Sequence, residues 1–261
     1  MTIRIDNIYK NVSKSFLKGH FFRVYMQIAP DIQIMDLGLY LAKHKILVLC
    51  DFHIGYEEEL NKKGVLVPRV QYKDVIDRLE LIFSKVNPEL IVINGDLKHE
   101  FGTISKQEWK ETMRLIDYLE RKGKLVLVKG NHDTILGPIA DKREIKVVDS
   151  LYVDDILITH GHKIPERLAD VIIIAHEHPA VKIRSDVRTE KYKCFLKGKY
   201  KGKTLIVQPS FNLLLEGTDV LSEELLSPFL DQNLDNFEVF VVDKKVYDFG
   251  KLKKLEKTIQ E

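Results

Sequence analysis

The chain has 261 residues, of which 44% are hydrophobic and 31% are charged, and its formal net charge is +2 at pH 7. This length fits one large α/β domain or two small ones, and the apolar fraction is sufficient for a sizeable core. Because the positive and negative charges nearly balance, the net charge of the chain gives no reason to expect a polyanionic partner. No run of about 18 apolar residues occurs, so a membrane-spanning helix is not expected.

The first twenty residues are charged and mixed, without the apolar core of a signal peptide. Two distant cysteines, Cys50 and Cys194, do not form a disulfide framework. We therefore expect a reduced, cytoplasmic protein. Without repeats or a linker rich in Gly, Pro or Ser, a single domain over residues 1–261 is predicted. Residues 1–31 would be an N-terminal arm or extra strands, and residues 250–261 a polar tail.

Continuous apolar runs of strand length dominate the chain from residue 46 onward. There are five of them: Ile46–Leu49, Leu90–Ile93, Leu125–Val128, Ile156–Ile158 and Val171–Ile174. Strands that are apolar on both faces belong inside a sandwich that covers both sides of the sheet.

Two helices are predicted between these runs. Apolar residues at helical spacing predict the first over residues 69–86. A capping-box pattern, Ser105 and Glu108, precedes the second. The alternation of strands and helices predicts a largely parallel or mixed sheet of βαβ units. After Pro179 the pattern changes to short β segments, which we interpret as hairpins of a second sheet.

A polar cluster follows each of the five apolar runs. The clusters are Asp51-Phe52-His53, Gly95-Asp96, Gly130-Asn131-His132-Asp133, His160-Gly161-His162 and His176-Glu177-His178. The carboxyl ends of strands in open α/β sheets form the edge where ligands bind. Burying so many imidazoles and carboxylates together is costly unless something compensates, and metal ions would do so.

The type of donor atom limits the range of metals that the clusters could bind. The clusters offer carboxylates, imidazoles and one amide, a set that suits Mn²⁺, Fe²⁺, Zn²⁺, Co²⁺ or Ni²⁺. Neither cysteine is expected to be a ligand, and Cys50 is better explained as a small buried apolar residue. The donors are too many for one tetrahedral site, whereas two metals bridged by one carboxylate would use them all.

In order and spacing, the five clusters resemble the motifs of the calcineurin-like metallophosphoesterases. The resemblance implies an α/β fold, a four-layer α/β/β/α sandwich of two mixed sheets flanked by helices. One departure is Ala175, because the family usually has glycine before H-x-H. Alanine is tolerated there if the strand end does not require a positive φ.

The resemblance also implies a binuclear centre. One metal would be held by Asp51, His53 and His178, the other by Asn131, His160 and His176, with Asp96 bridging the two. A hydroxide shared by the two ions would attack phosphorus in line. Mn²⁺ is the leading candidate for both ions, with Zn²⁺, Fe²⁺, Co²⁺ and Ni²⁺ as alternatives.

Further roles follow for residues beside these ligands. His132 resembles the family's catalytic histidine, which protonates the leaving oxygen or stabilises the transition state. Asp133 would orient His132, although aspartate is also common in turns. His99 and His162 are weaker candidates for substrate contacts. The run Glu57–Glu59 would be either a second shell or the acidic first turn of a helix.

The wider chain resembles a prokaryotic branch of phosphoesterases related to the ligase-associated DNA-repair endonucleases. The residues that carry this resemblance are Asp51–Glu57, Gly95–Phe101, Pro209–Asn212 and Gly217–Val220. A basic segment with interleaved aromatic residues, 182–203, would suit a nucleic-acid groove, with a solvated hairpin as the alternative. The leading hypothesis is a phosphodiesterase, nucleases included, that acts on nucleic acid or nucleotides. Its alternatives are a phosphomonoesterase and a non-catalytic scaffold.

Overall fold

The computed structural model describes residues 25–68, 70–99, 106–131, 143–184 and 189–255. The first sheet has seven strands that lie side by side in chain order. They are β1 (Tyr25–Ala29), β2 (Ile32–Met35), β3 (Gly38–Leu41), β4 (Ile46–Cys50), β5 (Leu90–Asn94), β6 (Lys124–Val128) and β7 (Lys146–Val148). Strands β1 to β4 are antiparallel and β4 to β7 are parallel, so the sheet is mixed.

Three helices are described beside the first sheet: α1 (Tyr56–Lys62), α2 (Gln71–Phe83) and α3 (Lys106–Glu120). Helix α2 lies between β4 and β5 in the chain, and α3 between β5 and β6, as in βαβ units. The predicted apolar stripe of α2 is buried through Val75, Leu79 and Ile82. Helix α1 carries Glu57, Glu58 and Glu59 in its first turn, which agrees with the second interpretation of the acidic run.

The second sheet contains nine strands. They are β8 (Ser150–Val153), β9 (Ile156–Thr159), β10 (Val171–Ile174), β11 (Pro179–Arg184), β12 (Thr189–Tyr200), β13 (Lys203–Val207), β14 (Thr218–Asp219), β15 (Glu238–Val242) and β16 (Val246–Lys251). Seven of these follow the order β14-β11-β12-β13-β10-β9-β8, while β15 pairs with β12 and β16. Strands β9, β10 and β13 are parallel, and the hairpin partners are antiparallel.

Alternation along the strands of the second sheet divides their side chains between two cores. Ile158, Ile173 and Ile206 belong to the cluster shared with the first sheet. Their neighbours Leu157, Ile172 and Leu205 face the other way, into a cluster with Phe229, Leu230 and Leu252. Because successive side chains of a strand point to opposite faces, one continuous apolar run supplies both cores.

The predicted class is confirmed: two mixed sheets pack together with flanking helices. Each of the five apolar runs forms a strand at its predicted place. Of the predicted C-terminal tail, Gly250 and Lys251 complete β16 and residues 252–255 are helical. Over the ranges that the structure describes, no helix has the length and hydropathy needed to cross a membrane.

Candidate metal centre

The parallel registers bring the predicted clusters to one edge of the sandwich. Strands β4, β5 and β6 pair in register up to Cys50, Asn94 and Val128, so the residues after them lie side by side. Backbone hydrogen bonds continue this alignment past the strands, from His53 N–H to Asp96 O at 3.0 Å. In the second sheet, Ala175 N–H donates to His160 O at 2.9 Å.

A first group of donors consists of Asp51, His53 and His178, whose ligand atoms lie within 4.8 Å of one another. The Nε2 atom of His178 lies 3.1 Å from Oδ2 of Asp51 and 3.3 Å from Nε2 of His53. This is the set that the sequence assigns to one metal.

A second group consists of Asp51, Asp96 and His160. The Nε2 atom of His160 lies 3.1 Å from Oδ1 of Asp51 and 3.7 Å from Oδ2 of Asp96. The same Asp96 oxygen lies 3.9 Å from Nε2 of His53, so Asp96 reaches toward both groups. Asp51 is a member of both groups, whereas the sequence assigned it to one metal and gave the bridge to Asp96.

The other two predicted ligands lie beside these groups. The Oδ1 atom of Asn131 is buried and has no hydrogen-bond partner within the described part of the chain. The ring of His176 lies 4.8 Å from the ring of His160, between centroids, and its backbone N–H donates to Oδ2 of Asp51 at 2.9 Å. A buried acceptor without a partner is costly, so the Asn131 oxygen is suited to a cation.

The electrostatics keep Asp51 ionised and His176 neutral. Burial raises the pKa of Asp51, but the rings of His160 and His178, when protonated, outweigh it and hold the pKa well below its usual range. Burial, followed by the neighbouring His160, lowers the pKa of His176 to about 4. An ionised carboxylate and neutral imidazoles are the forms that coordinate divalent ions.

Backbone strain is concentrated at these residues. Asp51, His53, His176 and His178 have φ values of 47°, 43°, 66° and 51°, in the left-handed region that non-glycine residues rarely adopt. Each such residue costs of order 1–3 kcal/mol and persists only where its surroundings enforce it. Ala175 is absent from the residues with positive φ, which removes the objection to alanine at that position.

Two glycines allow the clusters to approach one another. A Cβ atom on Gly130 would overlap with the carboxylate of Asp96. A Cβ atom on Gly95 would overlap with the ring of His160 and lie 2.8 Å from Oδ1 of Asp51. At both positions the backbone lies where a side chain would displace a residue of the neighbouring cluster.

The thiols take no part in this donor set. Cys50 is fully buried, and its Sγ donates to the carbonyl of Pro209 at 3.1 Å. Both cysteines are free, and burial raises the pKa of each thiol. Carboxylates, imidazoles and the unpartnered amide oxygen of Asn131 thus make a set that fits hard or borderline divalent ions.

His99 and His162 lie behind the candidate ligands. The Nδ1 atom of His99 is 3.4 Å from Nδ1 of His53, and its Nε2 forms an ion pair with Glu59. The Nδ1 atom of His162 is 3.0 Å from Nδ1 of His160. Both thus contact the ring nitrogen that faces away from the donor groups, where second-shell partners orient metal ligands. Their predicted role as substrate contacts stays a prediction.

The predicted catalytic pair, His132 and Asp133, lies outside the described residues. The basic segment is only partly described, since residues 185–188 lie outside it as well. Several of its lysines are paired with carboxylates: Lys182 and Lys191 with Glu223, Lys197 with Glu238, and Lys203 with Asp170. Lys199 pairs in register with Thr204 at the start of β13, whereas the histidine clusters follow the ends of the parallel strands. The part of the segment after Lys197, residues 198–203, is thus at the opposite edge of the sheet.

Three buried polar residues near the centre were missed by the sequence analysis. Gln71 donates to the carbonyls of Phe52 and His53, and Asn212 donates to the same His53 carbonyl. Glu177 accepts hydrogen bonds from the backbone of residues 226 and 227, at 2.8 and 2.9 Å. Asn212 and Glu177 stand in motifs that the sequence analysis singled out, Pro209–Asn212 and His176–His178, but neither was given a role there. Gln71 had no signal in the sequence.

A model of the calcineurin-like phosphoesterases matches residues 44–233, which contain all five clusters. The chain belongs to this family. Membership indicates a metal-dependent hydrolase of phosphate esters. A comparison of the sequence with curated proteins gave no match.

One solved structure shows the same fold. The crystal structure of the nuclease MPE of Pseudomonas putida superimposes with a TM-score of 0.63 at 17% identity, covering 86% of this chain and 98% of that one. At this identity the likeness concerns the fold alone. A predicted phosphoesterase of Streptococcus pneumoniae also matches, with a TM-score of 0.34 at 15% identity, covering 79% of this chain and 97% of the other.

Proposed function

We propose that this member of the family is a binuclear, metal-dependent phosphodiesterase that acts on nucleic acid or nucleotides. The observation that carries the proposal is the pair of donor groups that share Asp51 where the two sheets meet. One divalent ion fits between Asp51, His53 and His178. Asn131, His160 and His176 would complete the surroundings of a second ion, with Asp96 reaching toward both.

The chemistry needs charge neutralisation at phosphorus and a nucleophile at neutral pH. Two divalent ions, when bound, supply both, because they lower the pKa of water and offset the phosphoryl charge. The protein contributes a rigid arrangement of donors. Asp51 is held ionised, and its two oxygens lie against His160 on one side and His178 on the other. His132 would donate the proton to the leaving oxygen, the role that its resemblance to the family's catalytic histidine implies.

The choice of a diester as substrate rests on two likenesses. The nuclease from Pseudomonas putida has the same fold over nearly its whole length. The motifs Gly95–Phe101 and Pro209–Asn212 resemble the branch related to DNA-repair endonucleases. Mn²⁺ is the ion we propose, since oxygen and imidazole donors without thiolate suit it.

A reconstitution assay tests the proposal. The purified protein, stripped with a chelator, should not hydrolyse bis(p-nitrophenyl) phosphate, and added Mn²⁺ should restore the activity. The same preparation would be assayed with p-nitrophenyl phosphate, single- and double-stranded DNA, and RNA. Faster hydrolysis of the monoester than of every diester would overturn the diester assignment.

Matched variants separate the site from contaminating activity. Asp51→Asn retains the size of the side chain but removes the charge shared by the two groups, so hydrolysis should be lost. Asp154→Asn alters an exposed carboxylate that pairs with Lys43 on the surface, and it should leave the rate unchanged. Undiminished activity of the chelated protein, or of Asp51→Asn, contradicts a metal mechanism at this site.

A further inference from the structure

We propose that Gln71 is a positioning residue for the metal centre, because its side-chain amide holds the strained turn that presents Asp51 and His53. This inference rests on the proposed function, since it concerns the affinity of the donors for metal. Gln71 is the first residue of α2 and is 1% exposed. It donates to the backbone carbonyl of His53, not to the His53 ring.

The turn that needs support runs from Asp51 to His53. Both residues have left-handed φ values, 47° and 43°, on either side of Phe52. This conformation turns the carbonyls of Phe52 and His53 toward the start of α2, outside the ladder of the first sheet. The Nε2 of Gln71 donates to the Phe52 carbonyl at 3.1 Å and to the His53 carbonyl at 2.9 Å. One amide group therefore binds the carbonyls of both residues that follow Asp51.

The position of Gln71 is itself fixed. Its backbone N–H donates to Oε2 of Glu57 at 3.1 Å, and Glu57 is 1% exposed in α1. The other amide atom of Gln71, Oε1, is buried and has no hydrogen-bond partner among the residues that the structure describes. If the amide were reversed, an oxygen would face two carbonyl oxygens, so the orientation with two donated bonds is required.

The second sheet supports the same turn from the opposite direction. Asn212, which is fully buried, donates its Nδ2 to the His53 carbonyl at 3.3 Å. The backbone N–H of Phe211 donates to the Cys50 carbonyl at 2.8 Å, immediately before Asp51. The turn is thus bound on one side by α2 and on the other by residues 211 and 212. Without the Gln71 amide, the Phe52 carbonyl loses its bond, and relaxation of the left-handed backbone would move both donors.

The experiment compares two glutamines with the same local chemistry. Gln208 is also fully buried, also donates Nε2 to two carbonyls, those of Leu37 and Val48 at 3.1 and 3.0 Å, and also has a buried Oε1 without a partner in the described chain. Its side-chain amide joins β4 to the turn between β2 and β3, and it makes no described hydrogen bond to the Asp51–His53 turn. Gln71→Met and Gln208→Met each remove two hydrogen bonds from a side-chain amide to backbone carbonyls, and methionine has a volume similar to that of glutamine.

The measurement is Mn²⁺ binding to the chelator-stripped, full-length protein by isothermal titration calorimetry, with the melting temperature recorded in parallel. Gln71→Met should weaken Mn²⁺ binding about 10- to 100-fold, as expected for loss of a residue that orients metal ligands. Gln208→Met should lower the melting temperature to a similar extent, but its Mn²⁺ affinity should equal that of the wild type. The Mn²⁺ concentration for half-maximal hydrolysis should rise in Gln71→Met, while the rate at saturating Mn²⁺ recovers.

Two results would overturn the inference. One is an unchanged Mn²⁺ affinity in folded Gln71→Met, and the other is an equal loss in Gln208→Met, which would assign the effect to general stability. Should Gln71→Met not fold, Gln71→Asn gives the same comparison, because its shorter amide cannot reach both carbonyls. Failure of the proposed metal centre gives a different result, because the wild type itself would then bind no Mn²⁺ and the role of Gln71 would fall with it. A preference for monoesters would overturn only the diester assignment and leave the Mn²⁺ comparison valid.

Discussion

Gly130 lies so close to Asp96 that a Cβ atom on it would overlap with Oδ1 of the aspartate and lie 2.6 Å from its backbone nitrogen. The two residues follow neighbouring parallel strands, β6 and β5. The backbone that carries Asn131 is therefore packed directly against the carboxylate that reaches toward both donor groups. Any side chain at position 130 must displace one of them.

Gly130→Ala is accordingly expected to weaken Mn²⁺ binding and hydrolysis by about 10- to 100-fold, since a displaced carboxylate no longer meets the histidines. Overpacking should also cost about 1–3 kcal/mol of stability. Gly202→Ala is the control, because a Cβ there meets nothing within 4 Å although its φ is +78°. It should cost stability without a change in rate. Wild-type Mn²⁺ affinity in Gly130→Ala would contradict the packing argument.

His132→Ala tests the proposed proton donor. Because Asn131 and the other donors stay in place, the variant should retain two metals per chain by elemental analysis. Turnover should fall about 10²- to 10⁴-fold, the usual contribution of a general acid. A substrate with a good leaving group, such as p-nitrophenolate, should show the smaller loss. If metal is lost together with activity, His132 is a ligand and its assignment here is wrong.

The metal-free protein should lose stability as the pH falls from about 6.5 to about 4. In the folded state the pKa of His176 and of His162 is about 4, against a reference value of 6.5, because burial and then His160 disfavour their charged forms. In this pH window the unfolded chain therefore binds protons that the folded chain does not. The free energy of unfolding thus decreases as the pH decreases. The depressed pKa of Asp51 acts in the same direction, but below about 3.8.

Melting temperatures of the chelated protein between pH 7.5 and 4.5 would check this dependence. His162→Gln removes one of the two histidines without replacing a predicted ligand, so its melting temperature should depend less steeply on pH. An identical slope in His162→Gln would mean that His162 is not responsible.

Nucleic-acid binding should depend on lysines at the edge that carries the histidines. Lys163 is exposed and follows His162, whereas Lys199 is exposed at the opposite edge of the same sheet. Lys163→Glu should weaken DNA or RNA binding and reduce the slope of log affinity against log salt by about 0.7–0.9 for each lost phosphate contact. Lys199→Glu should leave both quantities unchanged. Equal effects of the two substitutions would indicate nonspecific electrostatic attraction to the whole protein surface. They would contradict binding of the nucleic acid at the edge that carries the histidines.

The sequence predicts the parts of the fold whose residues are buried on both faces. The five apolar runs became strands because β-branched and leucine side chains fill both cores at once. Strands β7 and β8 were not predicted, since they are half-exposed and lack a continuous apolar run. Leu252 was assigned to a polar tail, yet it is 4% exposed in the outer core. Leu255 is its only apolar neighbour at helical spacing in residues 251–255, and two such residues are too short a pattern to distinguish a packed helix from a polar tail.

The donors of the centre could be predicted for a similar reason, because each one directly follows a recognisable strand. Their grouping could not, since it depends on how the two sheets pack. The contact of Gln71 with the turn at residues 52 and 53 was also beyond the sequence. A glutamine at the start of a helix has no pattern that identifies its partner 18 or 19 residues earlier.

Both donor groups draw on both sheets: Asp51, His53 and Asp96 follow strands of the first, and His160 and His178 follow strands of the second. Neither half of the chain can assemble either group alone. A bound ion would therefore link the two sheets, and the free-metal concentration would affect the stability of the folded protein. At a free-ion concentration of 100 times the dissociation constant, mass action adds about 2.7 kcal/mol for one site. Removal of the metal should therefore lower the melting temperature as well as the activity.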